Sequence, residues 1–239
     1  MRREYHRWQS PSLGRDMEML VFGHAGARVL VFPTSKGRFF EWEDRGMVHA
    51  LGPAIDDGHL QLFCVDSVDA ESWYCYWAHP AGRANRHQQY DAYLIQEVMA
   101  LMDKVNPNPY TISLGASFGA YHAMNFGLRH PERVQRILAF SGLYDIRRFV
   151  HGHYDDNVYF NNPIDFVAGE TDERRLALLR QLDIIMATGK EDSLMPSARA
   201  LSAALWAKGI GNALREWDGW AHDWPFWQKM LLLYIGGHD

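Results

Sequence analysis

The chain has 239 residues, 47% of them hydrophobic, and a formal net charge of −5. That is enough for one domain burying roughly 70% or more of its unfolded surface, and no Lys/Arg cluster is interleaved with aromatics, so nucleic acid is not an expected partner. Two cysteines, Cys64 and Cys75, make no disulfide framework, and the polar stretch after Met1-Arg2-Arg3 holds neither a signal-peptide core nor a membrane span; a cytoplasmic protein with reduced thiols and no membrane partner is expected.

Two extended segments, 5–9 and 17–22, open the chain, and the apolar run Arg28-Val29-Leu30-Val31-Phe32 follows as a buried strand. Pro33-Thr34-Ser35-Lys36-Gly37 then turns the chain into a helix expected over 39–51. A strand at 59–65 and a long helix at 89–105 come next. Short apolar strands alternating with helices in this way predict a mainly parallel sheet covered on both faces. Residues 1–239 read as a single domain.

The chemistry-bearing stretch lies at the middle. Residues 110–114 read as a short buried strand, Ala120 onward (Tyr121, Met124, Leu128) reads as a helix, and Gly115-Ala116-Ser117-Phe118-Gly119 joins them. A serine on so sharp a turn projects its hydroxyl, and the flanking glycines let the turn pack. Ser117 is the candidate nucleophile. A serine hydroxyl needs a base to take its proton and a carboxylate to orient that base, and after a turn of this kind the acid precedes the base in the chain.

Both follow. A strand at 136–140 leads into an aromatic-rich segment, 143–181, whose Tyr144, Phe149, Tyr154, Tyr159, Phe160 and Phe166 would either cap the site as an inserted lid or complete the core. The strand at 182–188 ends in Gly189-Lys190-Glu191-Asp192-Ser193, where Asp192 sits in the acid position; Glu191 beside it and Asp145 in the preceding loop compete for the role. A helix over 197–208 and a last strand at 213–217 precede Asp218-Gly219-Trp220-Ala221-His222, which places His222 as the base. Asp223, ahead of Trp224-Pro225, suits a helix N-cap.

Of the twelve histidines, His122 follows the serine too closely in the chain to be the base. His151 and His153 lack a distant third ligand, so a solvated loop is expected there rather than a metal site. The negative charge that develops on a substrate carbonyl needs two donors. The backbone amide of Phe118 is one candidate, and that of Thr34 or Ser35 is the other. The tryptophans around His222 (Trp217, Trp220, Trp224, Trp227) either line an apolar pocket for short to medium acyl chains or anchor the last helix.

On Gly115-Ala116-Ser117-Phe118-Gly119, the acid loop Gly189-Lys190-Glu191-Asp192 and Gly219-Trp220-Ala221-His222-Asp223-Trp224, nearly the whole chain resembles the α/β-hydrolase superfamily, and within it the esterases related to esterase D and S-formylglutathione hydrolase. The resemblance implies an α/β-hydrolase fold and hydrolysis of carboxylic esters or thioesters of small molecules, with Ser117, His222 and Asp192 as the triad and no metal or organic cofactor. It also implies kinship with acyltransferases that use the same triad. A non-catalytic protein of this fold would usually lack a triad member. The loop Phe32-Pro33-Thr34-Ser35-Lys36 lacks the glycine common before the family's oxyanion donor and the cysteine that formylglutathione hydrolases often carry nearby, so a glutathione thioester is not favoured.

Overall fold

The computed structural model describes residues 1–237. Its strands are β1 (Arg3–Ser10), β2 (Arg15–Phe22), β3 (Ala27–Phe32), β4 (Leu60–Val65), β5 (Thr111–Ala116), β6 (Arg136–Phe140), β7 (Asp183–Gly189) and β8 (Ala213–Trp217), joined in one sheet in the order β1-β2-β4-β3-β5-β6-β7-β8. The β1–β2 and β2–β4 pairs are antiparallel and the other five pairs are parallel. Residues of β3, β5 and β6 are buried almost throughout, as strands covered on both faces must be, whereas β1 alternates exposed and half-buried residues along a sheet edge.

The helices are α1 (Glu41–Asp44), α2 (Met47–Ala50), α3 (Gly52–Asp56), α4 (Pro80–Tyr93), α5 (Met99–Val105), α6 (Phe118–Arg129), α7 (Asp156–Tyr159), α8 (Pro163–Gly169), α9 (Glu173–Leu179), α10 (Met195–Ala207) and α11 (Trp224–Tyr234). One core layer packs Tyr90, Met99, Phe126, Phe166 and Leu201 against the sheet. The other packs Trp42, Met47, Ile55, Met230 and Leu231 against its opposite face. Helices therefore cover both faces of a mainly parallel sheet, as expected. From β3 the chain runs to β4 on one side and then crosses to β5 on the other, and the crevice outside the carboxyl ends of β3 and β5 is where such a sheet accepts ligands.

Two expectations need correction. The helix expected over 39–51 is broken into α1 and α2, because Gly46 takes a left-handed conformation (φ 72°) between them, and α3 follows beyond it. The long helix begins at Pro80 rather than 89, with His79 capping the Ala81 amide; His79 to Gln88 carry too few apolar residues to show a helical face. A π-helical turn, Leu94–Val98, links α4 to α5 and aims Glu97 at Trp8, Ser10 and Ser12 of the β1–β2 hairpin. The 143–181 segment is largely short helices, and its Tyr144, Phe149 and Phe166 are buried while Tyr154 and Phe160 are exposed, so many of its rings serve as core.

Candidate active site

Ser117 stands between β5 and α6 with φ 55° and ψ −122°, a conformation that costs a non-glycine residue on the order of 1–3 kcal/mol. Its amide donates to the Phe140 carbonyl at 2.8 Å, which ties the turn to β6. The glycines are required by close approach. A Cβ on Gly115 would lie 2.1 Å from the Gly119 carbonyl oxygen, and one on Gly119 would lie 2.5 Å from that of Pro33. The start of α6 is thereby pressed against the end of β3, and the loop after β3 comes beside the serine.

His222 arrives from the loop after β8 and Asp192 from the loop after β7. Their separation in sequence is closed by local bonds: the Lys190 amide donates to the Trp217 carbonyl at 2.8 Å, the Glu191 amide to that of Gly219 at 3.0 Å, and a Cβ on Gly189 would stand 2.1 Å from the Trp220 carbonyl oxygen. His222 Nδ1 lies 2.8 Å from Asp192 Oδ2, and Nε2 lies 3.1 Å from Ser117 Oγ. A carboxylate can only accept, so Nδ1 carries the proton and Nε2 accepts from the serine hydroxyl. Asp192 is buried and its other oxygen accepts from the Leu194 amide, which holds it facing the ring. Glu191 is exposed beside it, and Asp145 pairs with Arg147 instead.

A further clamp fixes the histidine. Ala221 has φ 44°, its carbonyl accepts from Ser141 Oγ at 3.2 Å, and Ser141 in turn accepts from the Trp227 indole at 3.1 Å. Trp220 stacks on the imidazole at 5.5 Å and Trp227 meets it edge-on at 5.3 Å. Trp220 is exposed, Trp227 is buried, Trp217 donates to Tyr234 and Trp224 meets Trp42 edge-on. Three of the four tryptophans thus anchor α11, while Trp220 faces the site. Asp223 caps that helix by accepting from the Trp224 amide, as expected.

The loop after β3 offers the amides of Thr34 and Ser35, and the two are not equivalent. Glu41 on α1 takes the Thr34 amide at 2.7 Å and the Thr34 hydroxyl at 2.8 Å. Asp69 takes the Lys36 amide at 2.9 Å while holding His122 Nε2 at 2.7 Å. Among the described residues the amides of Ser35 and Phe118 meet no acceptor. The Ser35 hydroxyl bonds Tyr74 Oη at 2.8 Å, and Tyr74 packs edge-on against Phe118 and Phe149, each at 5.0 Å. Sequence reading missed Glu41, Asp69, Tyr74 and Ser141. None carries a motif, and only their folded partners give them a place.

The remaining candidates lie elsewhere. His122 is buried against Asp69 beneath the loop, and His153 pairs with Asp155, the N-cap of α7. No metal-binding group of histidine, cysteine and carboxylate side chains occurs among the described residues. Cys64 and Cys75 are both unpaired and buried, and burial pushes the Cys64 thiol up, which suits inert packing residues. No helix among the described residues is long and apolar enough to cross a membrane.

A family profile described as "Putative esterase" matches residues 42–234. No curated protein matches the sequence. Among solved structures the chain is similar to a ferulic acid esterase, with 18% identity over 98% of this chain and 96% of that one and a TM-score of 0.75. It is similar to an S-formylglutathione hydrolase from Agrobacterium tumefaciens, with 17% identity, coverage of 98% and 93%, and a TM-score of 0.74. It is also similar to FphF, a fluorophosphonate-binding serine hydrolase of Staphylococcus aureus, with 14% identity, coverage of 98% and 97%, and a TM-score of 0.70. At these identities the likeness is one of fold, the α/β-hydrolase fold.

Proposed function

Because the chain belongs to the "Putative esterase" family and is an ester hydrolase of the α/β-hydrolase type, we propose that Ser117, His222 and Asp192 form its catalytic triad and that the amides of Phe118 and Ser35 form its oxyanion hole. His222 Nε2 takes the Ser117 proton as Oγ adds to the carbonyl carbon of a small-molecule ester. The electron pair displaced onto the carbonyl oxygen is held by the two free amides. Asp192 keeps the proton on Nδ1 and stabilises the imidazolium. Collapse returns the electron pair, breaks the ester C–O bond, and passes the proton from Nε2 to the departing alcohol. Water, deprotonated by the same nitrogen, then releases the acid from the acyl-enzyme. A thioester would follow the same course with a thiol leaving.

The reading is carried by the hydrogen-bonded chain from Ser117 Oγ through His222 to Asp192, at 3.1 and 2.8 Å. The choice of Ser35 over Thr34 rests on Glu41 already holding the Thr34 amide. Phe149 of the 143–181 segment is buried edge-on against Phe118 at 5.4 Å, which supports the acyl site from behind rather than lining it. Two unpaired thiols fit a cytoplasmic location. A fluorophosphonate probe should label the wild type and not Ser117→Ala; labelling retained in the variant would overturn the assignment. An alcohol acceptor added to the assay should give no transesterified product in excess of hydrolysis, and such an excess would make the protein an acyltransferase.

A further inference from the structure

Two cations beside the proposed oxyanion hole have no carboxylate partner. Lys36 follows Ser35 directly, is exposed, and holds its ammonium 5.6 Å from the centre of the Tyr74 ring. Arg148 is exposed and lies 5.0 Å from the centre of the Phe149 ring. Those two rings are themselves 5.0 Å apart, edge to face, and both abut Phe118, the residue after the nucleophile. Most arginines of this acidic chain are spent in ion pairs, including Arg147 next to Arg148, which pairs with Asp145. Among the described residues neither Lys36 nor Arg148 forms one. Asp69 under this loop is buried and already accepts from His122 and the Lys36 amide, while Glu71 pairs with Arg15 and Arg86, Glu41 holds Thr34, and Asp145 pairs with Arg147.

The backbone supplies an independent pointer. Lys36 has φ 58°, a left-handed conformation in which glycine would be relaxed and a lysine is not. A side chain kept at such a position asks for a use. Burial pushes the Tyr74 phenol up from its ordinary value, and Arg148 is among the groups that pull it down, so the guanidinium acts on this ring as well as on Phe149.

We propose that Lys36 and Arg148 form an anion-recognition rim, and that the substrate's acyl group carries a carboxylate or a comparable anion that reaches it past the half-buried Tyr74 ring. This rests on the catalytic roles given above. The acyl side follows from the chemistry: His222 must return its proton to the leaving alcohol, so the alcohol lies toward His222 and Trp220. The acyl group then extends the other way, past Tyr74, whose phenol bonds the Ser35 hydroxyl of the oxyanion loop.

The test compares mono(4-nitrophenyl) adipate with 4-nitrophenyl hexanoate, which share chain length and leaving group and differ in the terminal carboxylate. A second pair, 4-acetoxybenzoate and 4-acetoxybenzamide, places the charge on the alcohol instead. The wild type should favour the adipate ester in kcat/KM, and the preference should shrink with added salt. In Lys36→Met or Arg148→Met the adipate-to-hexanoate ratio should fall roughly three- to fivefold, and about tenfold or more in the double variant, as expected for exposed charge pairs. Lys36→Arg should keep the ratio. An unchanged ratio in the double variant, or a preference confined to the acetoxybenzoate pair, would overturn the proposal. Turnover of both nitrophenyl esters by Ser117→Ala would instead overturn the catalytic assignment, whatever the ratio.

Discussion

In the proposed mechanism Glu41 decides which amide of the loop after β3 is left for an oxyanion. Its carboxylate holds both polar groups of Thr34, so the Ser35 amide is the one that stays open. Glu41→Ala should therefore release the loop, and kcat should fall roughly ten- to a hundredfold, short of the 10²–10³-fold expected for losing an oxyanion donor outright. KM should change less, since the bond at stake strengthens only as the oxyanion forms. Steady-state kinetics on one neutral ester would decide, and a variant with unaltered kcat would remove Glu41 from the account. Asp192→Asn should cost roughly 10³–10⁴-fold in kcat with little change in fold, because an amide no longer dictates which imidazole nitrogen carries the proton. At this scale motif and chain order pointed to Ser117, Asp192 and His222, which the fold brings within hydrogen-bond reach of one another, as the proposed triad. The Thr34 or Ser35 choice was not, because it depends on a side chain seven residues onward whose direction is set by packing.

The elements explain how three distant loops meet. Gly115 and Gly189 sit where strand ends touch neighbouring backbone, and neither site has room for a methyl group. Gly189→Ala should push the loop of His222 away from that of Asp192, lowering kcat and costing about 1–3 kcal/mol of stability as overpacking usually does. Urea unfolding and ester turnover measured together would check it; a variant as stable and as active as the parent would show that the loops tolerate the shift. Ser141→Ala tests the same loop from beneath, since it leaves the Ala221 carbonyl and the Trp227 indole without their shared partner, at a cost of about 1–3 kcal/mol. Strands were legible here because buried β-strands write themselves as apolar runs. The first turns of α4 were not, since Arg83 is buried by donating to the Ala78, Tyr76 and Phe149 carbonyls rather than by being apolar.

Across the whole molecule, the layer beneath the active site is polar as well as buried. His87, on the buried face of α4, bonds Tyr121 Oη at 3.1 Å and stacks near His122, both on α6. Burial first, then the neighbouring His122 and Arg129, hold its imidazole well below the ordinary 6.5. It stays neutral in the folded protein where the unfolded chain would bind a proton. The stabilisation is therefore complete above about pH 6.5 and is lost as the pH falls below that value toward the folded value, by at most about 1.4 kcal/mol per pH unit. The unfolding midpoint should drop between pH 7.5 and 5.5 and drop less in His87→Gln; a flat wild-type profile would contradict this. A mainly parallel sheet with two covered faces was expected from alternation alone, whereas this polar layer joins residues far apart in sequence and has no periodic signature.

The backbone at position 117 links the chemistry to the durability of the whole protein. Glycine occupies that torsion without penalty and alanine does not. Of two inactive proteins, Ser117→Gly should then outlast Ser117→Ala under heat, by about 1 kcal/mol in unfolding free energy. On the role proposed for Ser117, this fold would be easier to keep intact if it never had to present an attacking oxygen.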